Sequence, residues 1–226
     1  MVERLVRSHA NFHANHFLPE RTFFEELARG QSPEALVLCC ADSRVIPELI
    51  FQARPGTLFV ARTVANLLPP AGDPLAPAVG SAVEYAVDHL RVHHLVVLGH
   101  HGCGGLKAAM TRAVDPAADP NLAAWLRFTD NAVADVAAQA PADLDDRARL
   151  AAIVEDNVLE QLEHALTYPS VQRALDERRL TLHAWIYDIE SGELTCYHQD
   201  EDRFLHSSAF DDLAAAGRVS RGGFED

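Results

Sequence analysis

Two short stretches of this sequence contain the residue types that bind transition metals. Cys40 is followed by Asp42 and Arg44, and His100 and Cys103 stand together 60 residues further along the chain. Tetrahedral Zn²⁺ takes Cys, His and carboxylate ligands, and a set of two Cys and one His leaves the fourth position open, as catalytic zinc sites do. The sequence therefore predicts a zinc site, with buried thiols that bind no metal as the competing interpretation.

Asp42 and Arg44 are spaced two residues apart, so both side chains can face the same way. An Arg beside a carboxylate keeps it ionised and orients it, often through two hydrogen bonds. Two roles for Asp42 remain open at this point. It either completes the metal shell and closes the site, or is held off the metal and accepts a hydrogen bond from metal-bound hydroxide. An ordinary salt bridge in a turn is the simplest alternative.

The glycines around Cys103 allow two interpretations. A phosphate-binding loop would end in Gly-Lys followed by Ser or Thr, but here Lys107 comes two residues late and no hydroxyl follows it. A thiolate at the start of a helix is the better interpretation, because helix N-termini favour negative charge.

Elements with the periodicity of buried strands precede both stretches. Apolar runs alternate with amphipathic segments along the chain, which predicts an α/β fold. We expect an open, mostly parallel sheet of about four strands plus an antiparallel edge strand, flanked by helices, with an N-terminal helical arm. Ligands of such sheets bind beyond the carboxyl ends of the strands. The predicted strands are 35–40, 57–61, 95–98, 182–189 and 194–198, and the predicted helices after the arm are 77–90, 104–114, 120–138 and 147–174.

The 226 residues are expected to form a single domain. Its parts are a helical arm (1–30), a zinc-site core (31–114), a helical segment (115–180), C-terminal strands (181–200) and a tail (201–226). The arm is rich in aromatic residues, which predicts packing either on a second subunit or on its own core.

Charge and composition exclude several classes of function. The net charge of −14 argues against binding to nucleic acid or to an anionic membrane. No apolar stretch approaches the roughly 20 residues that span a bilayer, and the first residues lack the apolar region of a secretory signal. Four cysteines in a chain of this length suggest ligands or catalysts in a reducing compartment, so we expect a cytoplasmic protein.

At the two stretches that contain Cys40 and Cys103, the chain resembles the β-class carbonic anhydrases. Residues 40–44 fit that family's Cys-x-Asp-Ser-Arg signature, and residues 99–105 fit its Gly-His-x-x-Cys-Gly-Gly signature. Residues 62–66 are similar to its Arg-Asn-x-x-Asn segment, with Thr63 where Asn is usual. The resemblance runs from about 31 to 106, resumes weakly at 185–188, and gives no usable signal over 115–150.

The resemblance implies a lyase that reversibly hydrates CO₂ to bicarbonate and a proton. One Zn²⁺ per chain would be held by Cys40, His100 and Cys103, and the Asp42–Arg44 pair would orient zinc-bound hydroxide. Two thiolate ligands put more negative charge on the metal than three histidines do, so activity is expected to rise on the alkaline side.

The plant-like branch of that family implies further residues of the site. The other branch has a Trp where this chain has Val37, together with an inhibitory bicarbonate site, so we expect the open state, with Asp42 paired to Arg44 and with Arg62 mainly structural. Gln31 would reach the substrate from a neighbouring subunit, which implies a homodimer or a larger homo-oligomer. By resemblance, the CO₂ pocket would be lined by Phe59, Val64 and Tyr85, with Gly104 offering its backbone N–H. For these pocket residues, plain core packing is the alternative.

Three other functions stay open from the sequence. A few β-class relatives hydrolyse carbonyl sulfide or carbon disulfide on the same fold. A non-catalytic, zinc-stabilised module would need no Asp42–Arg44 pair, and a redox protein would use Cys40 and Cys103 as a dithiol. Cys39, His101 and Cys196 are predicted to be packing residues.

Overall fold

A computed structural model describes residues 1–141 and 143–209 and has a six-stranded sheet at its centre. The strand order is β2-β1-β3-β4-β5-β6, with the first four strands parallel and the last two antiparallel. The predicted α/β fold is confirmed, and one more antiparallel strand is found in the segment assigned to the tail. Residues 210–226 of that tail lie outside the described residues. The strands are β1 Ala35–Cys40, β2 Leu58–Thr63, β3 His94–His100, β4 Thr181–Tyr187, β5 Leu194–His198 and β6 Arg203–His206.

Nine α-helices lie in the described part of the chain. The predicted helical arm is present as α1 and α2, joined through a π-helical turn over His13–Phe17. A second π-helical stretch, Tyr85–Leu90, continues α4. The helices are α1 Val2–Phe12, α2 Arg21–Leu27, α3 Pro47–Ile50, α4 Pro77–Glu84, α5 Gly104–Met110, α6 Pro120–Leu126, α7 Asp130–Gln139, α8 Asp146–Leu166 and α9 Pro169–Asp176.

Two helix predictions need correction. The helix expected over 147–174 is two helices, because Pro169 cannot continue the helix and favours an extended conformation at the residue before it. That residue, Tyr168, has φ −79° and ψ 124°. The helix expected over 120–138 is also divided, because the 3₁₀ turn Arg127–Thr129 separates α6 from α7.

The parallel register brings the carboxyl ends of β1 and β3 to one edge of the sheet. Cys39 pairs with Leu98, so Cys40 and His100 emerge side by side. Side chains alternate between the two faces of a strand. Leu36, Leu38 and Cys40 therefore belong to the large core under the helices, whereas Val37 and Cys39 belong to a smaller cluster on the opposite face.

Helix α8 lies very close to β3. A Cβ atom built on Gly99 would stand 2.4 Å from Val158 Cγ2, so only glycine permits this approach. The contact fixes α8 beside the strand that ends in His100.

The N-terminal arm contrasts with this tightly packed region. Neither α1 nor α2 contains a buried residue, and Val2, Leu5 and Val6 are 72%, 57% and 65% exposed. Arg54, an exposed residue of the connection between α3 and β2, stacks on the Phe23 ring at 4.0 Å from its centroid. The arm thus contacts the rest of its own chain and still leaves an apolar surface uncovered.

Among the helices described, none combines the length and the apolar character needed to cross a membrane.

Candidate active site

The predicted metal ligands meet at the carboxyl edge of the sheet. Cys40 ends β1, His100 ends β3, and Cys103 stands immediately before α5. All three are buried, and their ligand atoms lie within 4.8 Å of one another. In residues 1–141 and 143–209, this is the one group of three or more Cys, His or acidic residues with that geometry. The structure therefore brings together the three residues that the sequence singled out.

The tautomer of His100 suits a metal ligand. Its Nδ1 atom lies 3.0 Å from the carbonyl oxygen of His101, which can only accept a hydrogen bond, so Nδ1 carries the proton. Nε2 is then a bare acceptor, and it is buried without a hydrogen-bond partner. A backbone carbonyl that fixes the ring of a ligating His in this way is usual in zinc sites.

The two thiols have opposite tendencies to ionise. Their sulfur atoms are 3.9 Å apart, and the hydrogen bond from Cys103 lowers the pKa of Cys40. The same contact, together with burial, raises the pKa of Cys103, although the N–H groups of Gly105 and Leu106 favour its thiolate. A divalent cation would let both sulfurs ionise, so the donor set and its charge balance fit Zn²⁺.

Asp42 and Arg44 form a two-pronged ion pair beside this cluster. Arg44 Nε and Nη2 donate to Asp42 Oδ1 and Oδ2 at 2.9 and 2.7 Å. The guanidinium holds the pKa of the Asp42 carboxyl well below its usual range. Asp42 Oδ2 is 3.9 Å from His100 Nε2, outside hydrogen-bond distance. The carboxylate is thus ionised, lies next to the cluster, and is hydrogen-bonded through both oxygen atoms to Arg44.

Arg62 fixes the backbone of the first loop. Its guanidinium donates to the carbonyl oxygens of Cys40, Asp42 and Val45, at 3.2, 2.6 and 2.6 Å. These contacts agree with the structural role expected for Arg62, because its donors are directed at the chain's own backbone.

The pocket residues fall into two groups. The rings of Phe59 and Tyr85 pack with centroids 5.8 Å apart, and Tyr85 remains 46% exposed. Val64 lies against Gly105, where a Cβ atom would be 2.9 Å from Val64 Cγ1. Gly104 borders open space, since a Cβ atom there would meet nothing within 4 Å. Val64 and Gly104 are therefore both next to the loop that carries Cys103.

Gln31 lies away from the metal cluster of its own chain. It is exposed in the connection that precedes β1, whereas Cys40 is at the other end of that strand. The length of β1, six residues, corresponds to about 17 Å along the strand direction.

Two residues near the site were missed by the sequence analysis. Trp125 Nε1 donates to the carbonyl oxygen of Val64 at 3.0 Å, and Asn157 Nδ2 donates to that of Ala65 at 3.3 Å. Both act on backbone, which leaves no motif in the sequence. Cys39 and Cys196 are buried free thiols, as predicted, whereas His101 also borders a cavity of about 480 Å³ next to Arg44.

Comparison with known proteins agrees with this geometry. The sequence model of a family described as carbonic anhydrase matches residues 35–194. A carbonic anhydrase of Pseudomonas aeruginosa is 42% identical over 195 residues, which cover 86% of each chain. Carbonic anhydrase 1 of Escherichia coli O157:H7 is 38% identical over 209 residues, covering 92% of this chain and 93% of the relative.

Solved structures of the same class have the same fold. The structure of the β-carbonic anhydrase CcaA superposes with a TM-score of 0.87 at 34% identity, covering 91% of this chain and 98% of that one. A structure from a study of two tetrameric β-carbonic anhydrases of Sordaria macrospora has a TM-score of 0.77 at 29% identity, with 86% and 95% coverage.

Proposed function

Because this chain belongs to the β-class carbonic anhydrases, zinc-dependent enzymes that hydrate CO₂ reversibly, we propose roles for the individual residues of its site. Cys40, His100 and Cys103 hold the zinc ion. The observation that carries this assignment is the buried, unpartnered Nε2 of His100, grouped with two sulfur atoms. The sulfur-analogue hydrolase, the non-catalytic module and the dithiol redox protein are not favoured, since the relatives compared above are carbonic anhydrases.

The reaction requires a nucleophile and a fixed acceptor beside it. Bound zinc lowers the pKa of water towards neutrality and so makes a nucleophile available. Asp42 accepts a hydrogen bond from the attacking water and directs its lone pair at CO₂. Its low pKa keeps this carboxylate an acceptor at every working pH, and Arg44 prevents it from turning onto the metal.

We assign the enzyme to the plant-like branch, whose members keep Asp42 and Arg44 paired. Val37 is buried in β1 at the position where the other branch has Trp. The guanidinium of Arg62 is already directed at three backbone carbonyls. Both observations favour an open site without the inhibitory bicarbonate site of the other branch.

The substrate pocket is proposed to lie between an apolar wall and a backbone donor. Val64, Phe59 and Tyr85 supply the wall, which suits a small apolar molecule such as CO₂. Gly104 borders open space, and its N–H is proposed to meet an oxygen atom of the substrate or of bicarbonate.

We further propose that the enzyme is a homo-oligomer and that Gln31 reaches the site of a neighbouring subunit. Gln31 is exposed in the connection before β1, at the end of the strand opposite to the metal cluster. It is therefore placed to contact a neighbouring subunit rather than the metal site of its own chain. The exposed apolar residues of the arm would be buried in a subunit interface. The β-carbonic anhydrases from Sordaria macrospora are described as tetrameric. The four free thiols favour a reducing compartment, for which the cytoplasm is our proposal. Sedimentation equilibrium tests the assembly, and a monomer at micromolar concentration would contradict it.

Stopped-flow CO₂ hydration at pH 8.5 tests the assigned chemistry. We expect fast hydration by protein with one zinc per chain, and loss of both zinc and hydration in Cys103→Ser. Cys196→Ser is the matched control, because that thiol is also buried but lies in β5. Rapid carbonyl sulfide hydrolysis without CO₂ hydration, by folded protein with one zinc, would overturn the substrate assignment.

A further inference from the structure

The turn Val64–Asn66, called the pocket turn below, has an unfavourable backbone conformation. Ala65 and Asn66 have φ angles of +60° and +51°, in the left-handed region that non-glycine residues rarely adopt. Such residues persist only where their surroundings determine the conformation. The pocket turn follows β2 directly. Because a strand has negative φ angles, β2 does not by itself account for the positive φ angles of this turn.

Trp125 supplies one of the external restraints. Its indole Nε1 donates to the carbonyl oxygen of Val64 at 3.0 Å, from helix α6. The indole packs edge-on against Phe128, with ring centroids 5.9 Å apart, which holds the donor in place. A partly buried Trp thus uses its single donor on the backbone of a residue that we place in the CO₂ pocket.

Asn157 supplies a second restraint, from helix α8. Its Nδ2 donates to the carbonyl oxygen of Ala65 at 3.3 Å, and its Oδ1 accepts from Gln161 Nε2 at 3.2 Å. Gln161 Oε1 in turn accepts the N–H of Leu68 at 2.9 Å. Residues 157 and 161 are one turn apart on the same helix face, and both are completely buried. This face of α8 therefore binds the backbone within the pocket turn and two residues beyond it.

The pocket turn has no room to move towards the metal loop. A Cβ atom on Gly105 would stand 2.9 Å from Val64 Cγ1 and 3.1 Å from Ala65 Cβ. Gly105 follows directly after Gly104, and its N–H favours the thiolate of Cys103. Any shift of the pocket turn therefore changes the spacing between the Val64 side chain and the ligand loop.

We propose that Trp125 and Asn157 are positioning residues, which set the width of the CO₂ pocket by holding the pocket turn against Gly105. The proposal rests on the role proposed above for Val64. It gives a function to the helical segment 115–180, of which residues 115–150 offered no usable signal of the family in the sequence.

Trp125→Phe is the first test, because phenylalanine keeps an aromatic ring and removes the N–H donor. Loss of one hydrogen bond of this kind predicts a fall in kcat/KM for CO₂ of about 3- to 10-fold. We expect the change in KM rather than in kcat, with one zinc per chain and an unchanged pH midpoint of kcat/KM, since the metal ligands and Asp42 are not touched. Trp185→Phe is the matched control, because it makes the same change at the other tryptophan, on β4, and should leave kcat/KM unaltered.

A double-mutant cycle separates positioning from general stability. If Trp125 acts through Val64, then Val64→Ala and Trp125→Phe each lower kcat/KM, and the double variant is less impaired than the product of the two effects. Two outcomes would overturn the positioning role and leave the pocket assignment of Val64 intact. One is that the effects of the two substitutions multiply fully. The other is that Trp125→Phe has the wild-type KM while Val64→Ala is impaired. Wild-type kinetics in Val64→Ala would instead remove the pocket assignment and the proposal that rests on it.

An isosteric replacement covers the case in which Trp125→Phe does not fold. In the Trp185→Phe background, Trp125 is the only tryptophan, so 3-benzothienylalanine can be incorporated there with sulfur in place of the N–H. This change keeps the size and shape of the ring. The same rise in KM is expected, and an unchanged KM would contradict the proposal.

Discussion

The ligand loops and the helical segment that faces them serve the same site by different means. Residues 40–44 and 99–105 contribute side chains, namely two sulfur atoms, one imidazole nitrogen and one carboxylate. Helices α6 and α8 contribute hydrogen bonds to the backbone of the pocket turn and of Leu68. In our proposal the loops carry the chemistry, whereas the helices determine where the pocket wall stands.

The difference shows why only one of these regions is visible in the sequence. A metal ligand must be a particular residue at a particular place, so Cys40, His100 and Cys103 stand out by type and spacing. A backbone carbonyl accepts from any suitable N–H donor, so Trp125 and Asn157 follow no pattern. Regions that work through backbone contacts are therefore found only when the structure is known.

The two regions also shift the pKa values of their carboxylates in opposite directions. In the first ligand loop, hydrogen bonds from Arg44 lower the pKa of Asp42. On α8, burial raises the pKa of Asp156 and Glu160. An ionised carboxylate is thus stabilised beside the metal cluster and is disfavoured where it is partly buried on α8.

The largest predicted effect compares two neighbouring cysteines. Cys40→Ala removes a metal ligand and is expected to lower kcat/KM at least about 1,000-fold, with zinc falling well below one per chain. Cys39→Ala should keep its zinc and most of its activity, because its side chain lies in the cluster on the opposite sheet face. Metal analysis and stopped-flow kinetics of both variants check this. Zinc loss in Cys39→Ala, or full zinc content in Cys40→Ala, would contradict the assignment of faces.

Asp42→Asn is expected to lower kcat/KM roughly 100- to 1,000-fold while the zinc content stays at one per chain. The amide is nearly the same size as the carboxylate, but its uncharged oxygen is a weaker acceptor and its NH₂ group repels the donors of Arg44. Asp73→Asn is a matched control, since both carboxylate oxygens of Asp73 also accept hydrogen bonds from an arginine, from Nη2 of Arg127, outside the ligand loops. Equal losses in both variants would mean that ion pairing as such, and not its place beside the metal, matters.

Much of the fold and most of the metal site were predictable from the sequence, for identifiable reasons. The run 35–40 is a strand with those bounds, because six apolar residues in succession suit a strand buried on both faces. The break at Tyr168 was also signalled by Pro169, although the prediction ran a helix through it. The shape of the pocket turn was not predictable, because Ala65 and Asn66 adopt positive φ in a turn that is held by residues 61 and 92 positions further along the chain.

Gln161→Leu tests whether the helical segment is as important for stability as the loops are for activity. The substitution keeps the volume but leaves the N–H of Leu68 and the Oδ1 of Asn157 buried without partners, which costs about 2–3 kcal/mol of unfolding free energy. Urea unfolding with constant m-value measures the loss. Gln172→Leu is the matched control, because Gln172 is exposed on α9 and water can replace its hydrogen bond to the carbonyl oxygen of Leu166; it should change stability by less than about 0.5 kcal/mol. A loss below 1 kcal/mol in Gln161→Leu would show that the hydrogen bonds of Gln161 to Leu68 and Asn157 add little to the stability of this region.

Glu160→Gln gives the smallest expected effect and tests the contrast in pKa directly. Glu160 accepts a hydrogen bond from Asn131 at 2.8 Å, while its second carboxylate oxygen is buried without a partner among the described residues. Burial raises the pKa of Glu160 above its ordinary value of 4.5, so the folded protein holds this proton more tightly than the unfolded chain. The resulting stabilisation is complete below pH 4.5 and is lost as the pH rises through the folded-state pKa.

At pH 8 the uncharged Gln should therefore make the protein more stable than wild type by up to about 1 kcal/mol, or ~2–4 °C in Tm, and this gain should shrink at pH 5. Thermal unfolding at both pH values measures it, with exposed Glu84→Gln as the control. A gain of equal size at pH 5 and pH 8 would mean that the carboxylate of Glu160 is not penalised by burial, and the contrast with Asp42 would then rest on Arg44 alone.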